Sequence, residues 1–543
     1  MAEDIPIITG DPLGKEGGAS FTCFVLPFRY QPTLKFSGPA AEILGKNRAC
    51  FKEVDKRTPK WVNRMRYFTG ETARVLYDHA RWFELPDCDW RTFNWGSAAN
   101  AEKVFRFYCA QSSRIAIKFH PPRLILFEWN DVKKAEPKNT AQDKQRDQDL
   151  FDIGFLIIKV SFETNDNQPN YRDVLFLNEL FRYWRMPFDK HDGKMRLMFE
   201  NSFGWRSEDL YLRRWSDLLR IPFQICGDRQ MYSLFPDNWN AGAEAWWQSE
   251  IATQNRAATK HRNASMDNAG WICYADNRAF VWSCAVVENG ANALKKMGHA
   301  GNGTPGQLGG WIKFLNVDEP RELDAINSAT PFEKKWVKKR YYDRWAHFGT
   351  LYGFNYHAGV MLTGPCGEPP IVHHFHNQYL DMTLLLLYLR ITLFRFSREL
   401  TRLSADMRDT TDYKKAHRAE FKSLRREFAI FTNLYQFPLI SNQQQAIEMY
   451  ALIRQRMDVQ ELFREVEEEI KSSHEYFQFE EESKLNNSVH FLTIIGAILA
   501  FIGVIATFAS IPPDAFEYFR EYFAEKKQVT WPAIPHTSSP KNP

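Results

Sequence analysis

Residues 489–511 read VHFLTIIGAILAFIGVIATFASI, and this stretch decides the architecture. It carries no formal charge, and His490 stands at its edge. At 1.5 Å per residue, a helix of this run reaches about 34 Å, enough to cross a hydrocarbon core of about 30 Å. Pro512-Pro513 stops it sharply. The run is apolar on every face and lies near the chain end. That pattern predicts a transmembrane helix rather than a buried core helix, with the bulk of the chain outside the bilayer.

Within the run, Thr493, Gly496, Ala500, Gly503, Thr507 and Ser510 recur at alternating spacings of three and four. They fall on one helix face made only of small residues. Such faces let membrane helices approach closely. The face is expected to pack against other helices or to line a pore, with Asn486 and His490 continuing it towards the chain's body. The remaining faces carry Leu, Ile and Phe, as lipid contact requires.

Traced backwards at the same spacing, this face runs into an acidic seam of Glu461, Glu465, Glu468, Glu475 and Glu482. A parallel bundle with the seam inward would concentrate cations above a pore mouth. An ordinary solvated face is the other reading. The seam aligns over its length only if the helices supercoil, because a straight helix drifts about 20° per heptad. No proline or glycine occurs from Ser441 to Ile495. The absence predicts a stalk helix over 441–488 that runs on through the span, about 105 Å in all. Leu462, Val466, Ile470, Ser473 and Phe477 form its mostly apolar stripe.

The flanks divide on orientation. Arg520, Lys526 and Lys527 follow the span, and only Lys484 closely precedes it. A positive-inside count would put the tail in the cytoplasm. Nothing at Met1-Ala2-Glu3-Asp4 resembles a secretory signal, so the body before the span is also expected in the cytoplasm. The side of the tail stays open. Residues 514–527 place Phe516, Phe519, Tyr522 and Phe523 at helical spacing among charges, which suits an amphipathic helix in the interface plane.

The body reads as α+β. Strands are expected at Arg123–Trp129 and at Ile153–Phe162, the latter central because it is apolar almost throughout. Between them, 131–149 is charged and reads as a linker or exposed insertion. Residues 271–287 suggest a hairpin turning at Asp276-Asn277, and Trp311–Val317 a further strand. The glycine-rich 298–310 lacks the lysine of a phosphate loop and reads as a flexible connection. From about 330 the chain turns helical. A capping box at Thr330-Pro331-Phe332-Glu333 opens a helix expected to stop near Gly349. Helices over 377–404 and 412–436 follow. The first holds a long apolar run broken by Asp381, Arg390 and Arg395, so it is a core helix rather than a second span.

Other signals are weak. The formal net charge is +4, which makes no electrostatic case for nucleic acid. Eight cysteines are scattered without a CxxC pair, as reduced thiols of a cytosolic domain would be. His373, His374 and His376 stand together, either as metal-binding imidazoles or as a polar start to the 377–404 helix. No catalytic motif or organic cofactor motif occurs.

The last 170 residues resemble the C-terminal half of the CorA-type divalent-cation channel superfamily. An apolar helix (378–400) and a helix ending in FTNLYQFPLISNQQQ (431–445) precede a stalk that leads directly into a membrane helix. The resemblance implies a funnel-shaped homo-pentamer, with an N-terminal α/β rim, pore-lining stalk helices and cation transport. Ser510-Ile511-Pro512-Pro513 stands where that family carries Gly-Met-Asn, and no second span follows. Two functions are therefore expected of such a chain. One is a ligand-gated pore or divalent-cation channel. The other is a membrane-anchored sensor or defence effector that binds a nucleotide or protein and conducts nothing.

Overall fold

A computed structural model gives the fold and describes residues 5–10, 18–30, 52–84, 104–108, 114–120, 122–127, 152–163, 168–182, 271–273, 278–296, 305–318, 330–365, 371–406, 413–435, 437, 439–510, 517 and 520–524. The chain divides into two compact units, Met1–Glu467 and Glu468–Pro543.

The first unit is built on one twelve-stranded sheet. Its strands are β1 (Phe21–Tyr30), β2 (Lys52–Glu53), β3 (Ala80–Glu84), β4 (Val104–Tyr108), β5 (Arg114–Phe119), β6 (Arg123–Phe127), β7 (Asp152–Glu163), β8 (Trp271–Cys273), β9 (Phe280–Val286), β10 (Tyr341–Tyr342), β11 (Leu351–Phe354) and β12 (Ala358–Thr363). Their order is β10-β11-β12-β9-β1-β7-β6-β3-β2, with β5 on β7, β4 on β5 and β8 on β1. All pairings are antiparallel except β9 with β12. The expected strand at 153–162 is β7, and it is central: β1 pairs with one edge, β5 and β6 with the other.

Side chains alternate across a strand, so β1 shows why both faces are covered. Phe24 packs on Phe181 of the helix Tyr171–Arg182, at 5.5 Å between rings, and Thr22 Oγ1 donates to Asn178 Oδ1 at 2.8 Å. Phe21, on the opposite face, meets Phe375 and His376. Helices on both faces explain why β1, β7 and β9 read as nearly continuous apolar runs.

The second layer is the core helix. It starts as Ile371–His374, passes through a π-helical stretch at Phe375–Tyr379 and continues as Leu380–Asp406. Leu384, Leu385 and Leu386 are fully buried, as expected of a core helix. Tyr388 stacks on Phe127 of β6 at 4.3 Å. Trp282 of β9 holds the π-helical stretch in place. Its ring stacks on Phe375 at 4.2 Å, and its Nε1 donates to the Phe375 carbonyl at 2.9 Å. Gly359, opposite Trp282 on β12, leaves room for that ring: a Cβ there would lie 2.1 Å from it. The helix Tyr413–Tyr435 follows with Phe421, Leu424, Phe428 and Phe431 buried, as their spacing predicts.

Five expectations are corrected. Residues 271–273 and 280–286 do not form a hairpin; both pair antiparallel with β1 and so run in the same direction along one edge. Trp311–Val317 is not a strand but lies largely in the helix Pro305–Asn316, where Trp311, Phe314 and Leu315 are buried at helical spacing, and the same helix takes in residues 305–310 of the glycine-rich stretch expected to be a flexible connection. A short apolar run carries no period that separates the two states. The helix opened at Thr330 has its capping box, with both reciprocal hydrogen bonds, but ends at Lys338, and β10 to β12 follow it. The stalk is not one helix from Ser441. It is Gln444–Arg456 and then Val459–Ala509, broken at Asp458, whose φ of 49° is left-handed. Aspartate tolerates that region better than most residues, and no glycine or proline marks the break. The stretch 131–149 lies outside the described residues, as does most of 514–527.

Gly359→Ala should push Trp282 off Phe375 and destabilise the first unit by about 1–3 kcal/mol. Thermal unfolding of the variant, together with loss of the Trp282 environment by fluorescence, would register this.

Candidate functional site

The terminal helix Val459–Ala509 is uninterrupted, so the acidic seam and the small-residue face belong to one element. Leu485–Thr507 is the one helix among the described residues long and apolar enough to cross a membrane. It has 23 residues, a mean hydropathy of 2.5 and no buried share. Asn486, His490, Thr493, Gly496, Ala500, Gly503 and Thr507 are all exposed along it, and a Cβ at Gly496 or Gly503 would meet nothing within 4 Å. The hydroxyls on this face are satisfied inside the helix. Thr493 donates to the Val489 carbonyl, Thr507 to that of Gly503 and Ser510 to that of Ala506, each at 2.7 Å. Such back-bonding removes the cost of placing a hydroxyl in hydrocarbon. Glu461, Glu465, Glu468, Glu475 and Glu482 are exposed, and Glu461 pairs with Arg464. Val466, Ile470 and Phe477 of the predicted apolar stripe are buried.

The three histidines are adjacent in sequence but do not converge. His376 is buried, with Nδ1 3.1 Å from Asn377 Oδ1 and its ring edge-on to Phe21. His373 lies on the other side of Asn377, whose Nδ2 is 3.2 Å from its Nδ1. His374 faces Tyr67 and Tyr379. The described residues contain no group of three His, Cys, Asp or Glu placed to hold a metal ion. Burial lowers the pKa of all three imidazoles, and most strongly that of His376, where the Lys159, Arg123 and Arg64 cations add to the effect.

Sequence reasoning passed over residues 52–84 entirely, yet they complete the most polar point of the core. Arg64, from the helix Pro59–Met65, grips both carboxylate oxygens of Asp381 and donates to Asn377 Oδ1 at 3.2 Å. Tyr77 donates its hydroxyl to the same carboxylate. The Arg64 guanidinium lies 4.7 Å from the Trp61 ring and 4.9 Å from the Trp82 ring. Arg64 and Asp381 are both buried. Burial opposes the charge on Arg64, but the Asp381 carboxylate outweighs it and raises the pKa. Burial and the same carboxylate push the Tyr77 phenol well up, so it stays a donor. The signal that could have pointed here is Asp381, since a carboxylate on a buried helix requires a partner.

No family model, curated protein or solved structure matches the chain.

Replacing Asp381 with Asn should leave Arg64 charged, buried and poorly paired, at a cost of about 3–5 kcal/mol. Arg64→Met combined with Asp381→Leu should recover much of that loss in a denaturant titration. The histidines set a second expectation. A buried imidazole with a lowered pKa stays neutral in the folded state while the unfolded chain takes up a proton. Stability is therefore complete above about pH 6.5 and falls as pH drops towards the folded pKa. His376→Asn should flatten that acid limb when unfolding midpoints are compared between pH 7 and pH 5.

Proposed function

We propose that the chain is an oligomeric membrane protein of CorA-like design. Leu485–Thr507 spans the bilayer once, copies pack through the small-residue face, and cations pass along the axis that those helices enclose. The unit Met1–Glu467 lies on the cytoplasmic side. One observation carries this reading: a 23-residue helix of mean hydropathy 2.5 with none of its apolar residues buried. Among the described residues the first unit exposes only Phe332, Phe348, Phe394 and Leu439 of its large apolar side chains, whereas this helix exposes a continuous apolar run, so it is the place where cover must come from outside the fold. Lipid supplies that cover on the Leu, Ile and Phe faces. It offers no apolar drive between helices, so close packing at Gly496, Ala500 and Gly503 takes over. The acidic seam on the same helix would draw cations, divalent ones above all, towards the axis. The funnel and the pentamer come from the resemblance alone.

The back-bonded hydroxyls favour a second reading. A small face whose donors are already satisfied requires no water beside it, and it serves a packed, non-conducting bundle equally well. In that case the chain is an anchored sensor.

Light scattering of the detergent-purified chain should give an oligomer, and Gly503→Leu should shift it to smaller species. A wild-type monomer would end the reading. In liposomes the wild type should carry a divalent-cation flux that Gly503→Leu abolishes. Replacing 485–507 with an unrelated anchor should destroy function in a channel and preserve it in a sensor.

A further inference from the structure

A cavity of about 20 Å³ lies beside the joint at Asp458, where the helix Gln444–Arg456 gives way to Val459–Ala509. The core helix contributes Leu389 and Leu393 to its walls, the terminal helix Val459 and Phe463, and the helix Gln444–Arg456 Tyr450 and Arg454. The end of the helix Tyr413–Tyr435 and the residue two beyond it supply further aromatic rings. Arg454 is the one charged side chain in the lining; all the others are aliphatic or aromatic. One water requires about 10–15 Å³ of such space, so the cavity admits a single body of about that size.

Arg454 is half-buried, and its Nε is shut off from solvent without a hydrogen-bond partner. Among the described residues no carboxylate pairs with it, whereas Arg64 has Asp381 and Arg395 has Glu427. Tyr450 stands one turn earlier on the same helix face. Burial raises its phenol although the Arg454 charge pulls it down, so the hydroxyl stays a donor. An enclosed donor without an acceptor is unfavourable, and buried polar groups that the protein leaves open are ordinarily met by water. Water suits this cavity poorly. It would accept from Nε, but its own two protons require acceptors, and no lining side chain is a carboxylate, amide or imidazole. A monatomic anion has no protons to place, and it balances a cation set among apolar walls, where an unbalanced charge is costly.

We propose that this cavity binds one halide ion, chloride under physiological conditions, held by the Arg454 guanidinium with the Tyr450 hydroxyl as second donor. Phosphate and sulfate are too large for the space. The ion sits where the core helix, the helix Gln444–Arg456 and the first turns of the terminal helix meet, so its binding fastens the joint at Asp458. The site is built wholly from the unit Met1–Glu467 and does not depend on what the helix 485–507 does.

The full-length protein in a non-ionic detergent is exchanged into sodium gluconate, whose anion exceeds the cavity, and chloride then replaces gluconate at constant ionic strength. The unfolding temperature should rise and saturate, because a ligand of the folded state stabilises it by mass action. Bromide should act in the same way. Sulfate strengthens burial generally, so its effect should grow without saturating and persist in Arg454→Gln. That variant should raise the half-saturating chloride concentration about tenfold or more, the loss of one charge-assisted contact, while Lys295→Gln, exposed and outside the lining, should leave it unchanged. A second readout needs no variant. The wild type should broaden the NMR line of free chloride, and bromide should narrow it again by competition. An unfolding temperature equal in chloride and gluconate, or a chloride line as narrow as in buffer alone, would overturn the assignment and leave a cavity that holds water only. Saturable stabilisation that Arg454→Gln keeps in full would overturn it as well, by placing the ion elsewhere.

Discussion

The first unit depends on a carboxylate placed where water does not reach. Asp381 opens the longest buried helix and is fully enclosed. A lone charge there would forbid burial of the helix. Arg64, Tyr77 and Asn377 make burial possible, and Trp61 and Trp82 shield the guanidinium. The ion pair contributes little beyond what two well-packed apolar residues would supply. Its effect is on geometry. It ties the segment around residues 59–80 to the core helix, in one register and one orientation.

That register also sets the π-helical stretch. Trp282 captures the Phe375 carbonyl and ring, Gly359 leaves room for Trp282, and His376 is carried down onto the sheet. The covered face is not sealed with apolar side chains. Where Lys159, Arg123 and Glu84 line up across β7, β6 and β3, the helix roofs a polar cavity. Structural packing and a charged recess thus share one wall, and a change at Asp381 or Trp282 would reach the recess through His376 and Leu380.

The two apolar helices make an instructive contrast. Leu380–Asp406 and Leu485–Thr507 both hold long apolar runs, but the first carries Asp381, Arg390 and Arg395 and the second carries no charge after Lys484. The charges of the first find partners inside the fold: Asp381 with Arg64, Arg395 with Glu427, and Arg390 over the Tyr356 ring. The second has no buried share at all. Charge placement therefore separates a helix buried in protein from one that requires another covering.

Local periodicity alone determined a good deal of this protein. It placed the central strand β7, the core helix, the helix Tyr413–Tyr435, the capping box at Thr330 and the apolar terminal helix, because each is a long run or a motif whose meaning is contained in neighbouring residues. Tertiary structure decided the rest. Residues 271–273 and 280–286 share an edge of β1, a pairing fixed by residues some 250 positions away. The 311–316 segment is helical because its buried faces match Tyr171 and β11 rather than a sheet neighbour. Asp458 breaks the stalk with no local marker. The histidines, which sequence grouped, were separated by Asn377, while Cys23, Lys60, Glu84, Arg123 and Lys159, which sequence scattered, were brought to one cavity. Strand register is a long-range property, and only register brings Cys23, Glu84, Arg123 and Lys159 onto one face of a sheet, where the helix Pro59–Met65 sets Lys60 beside them.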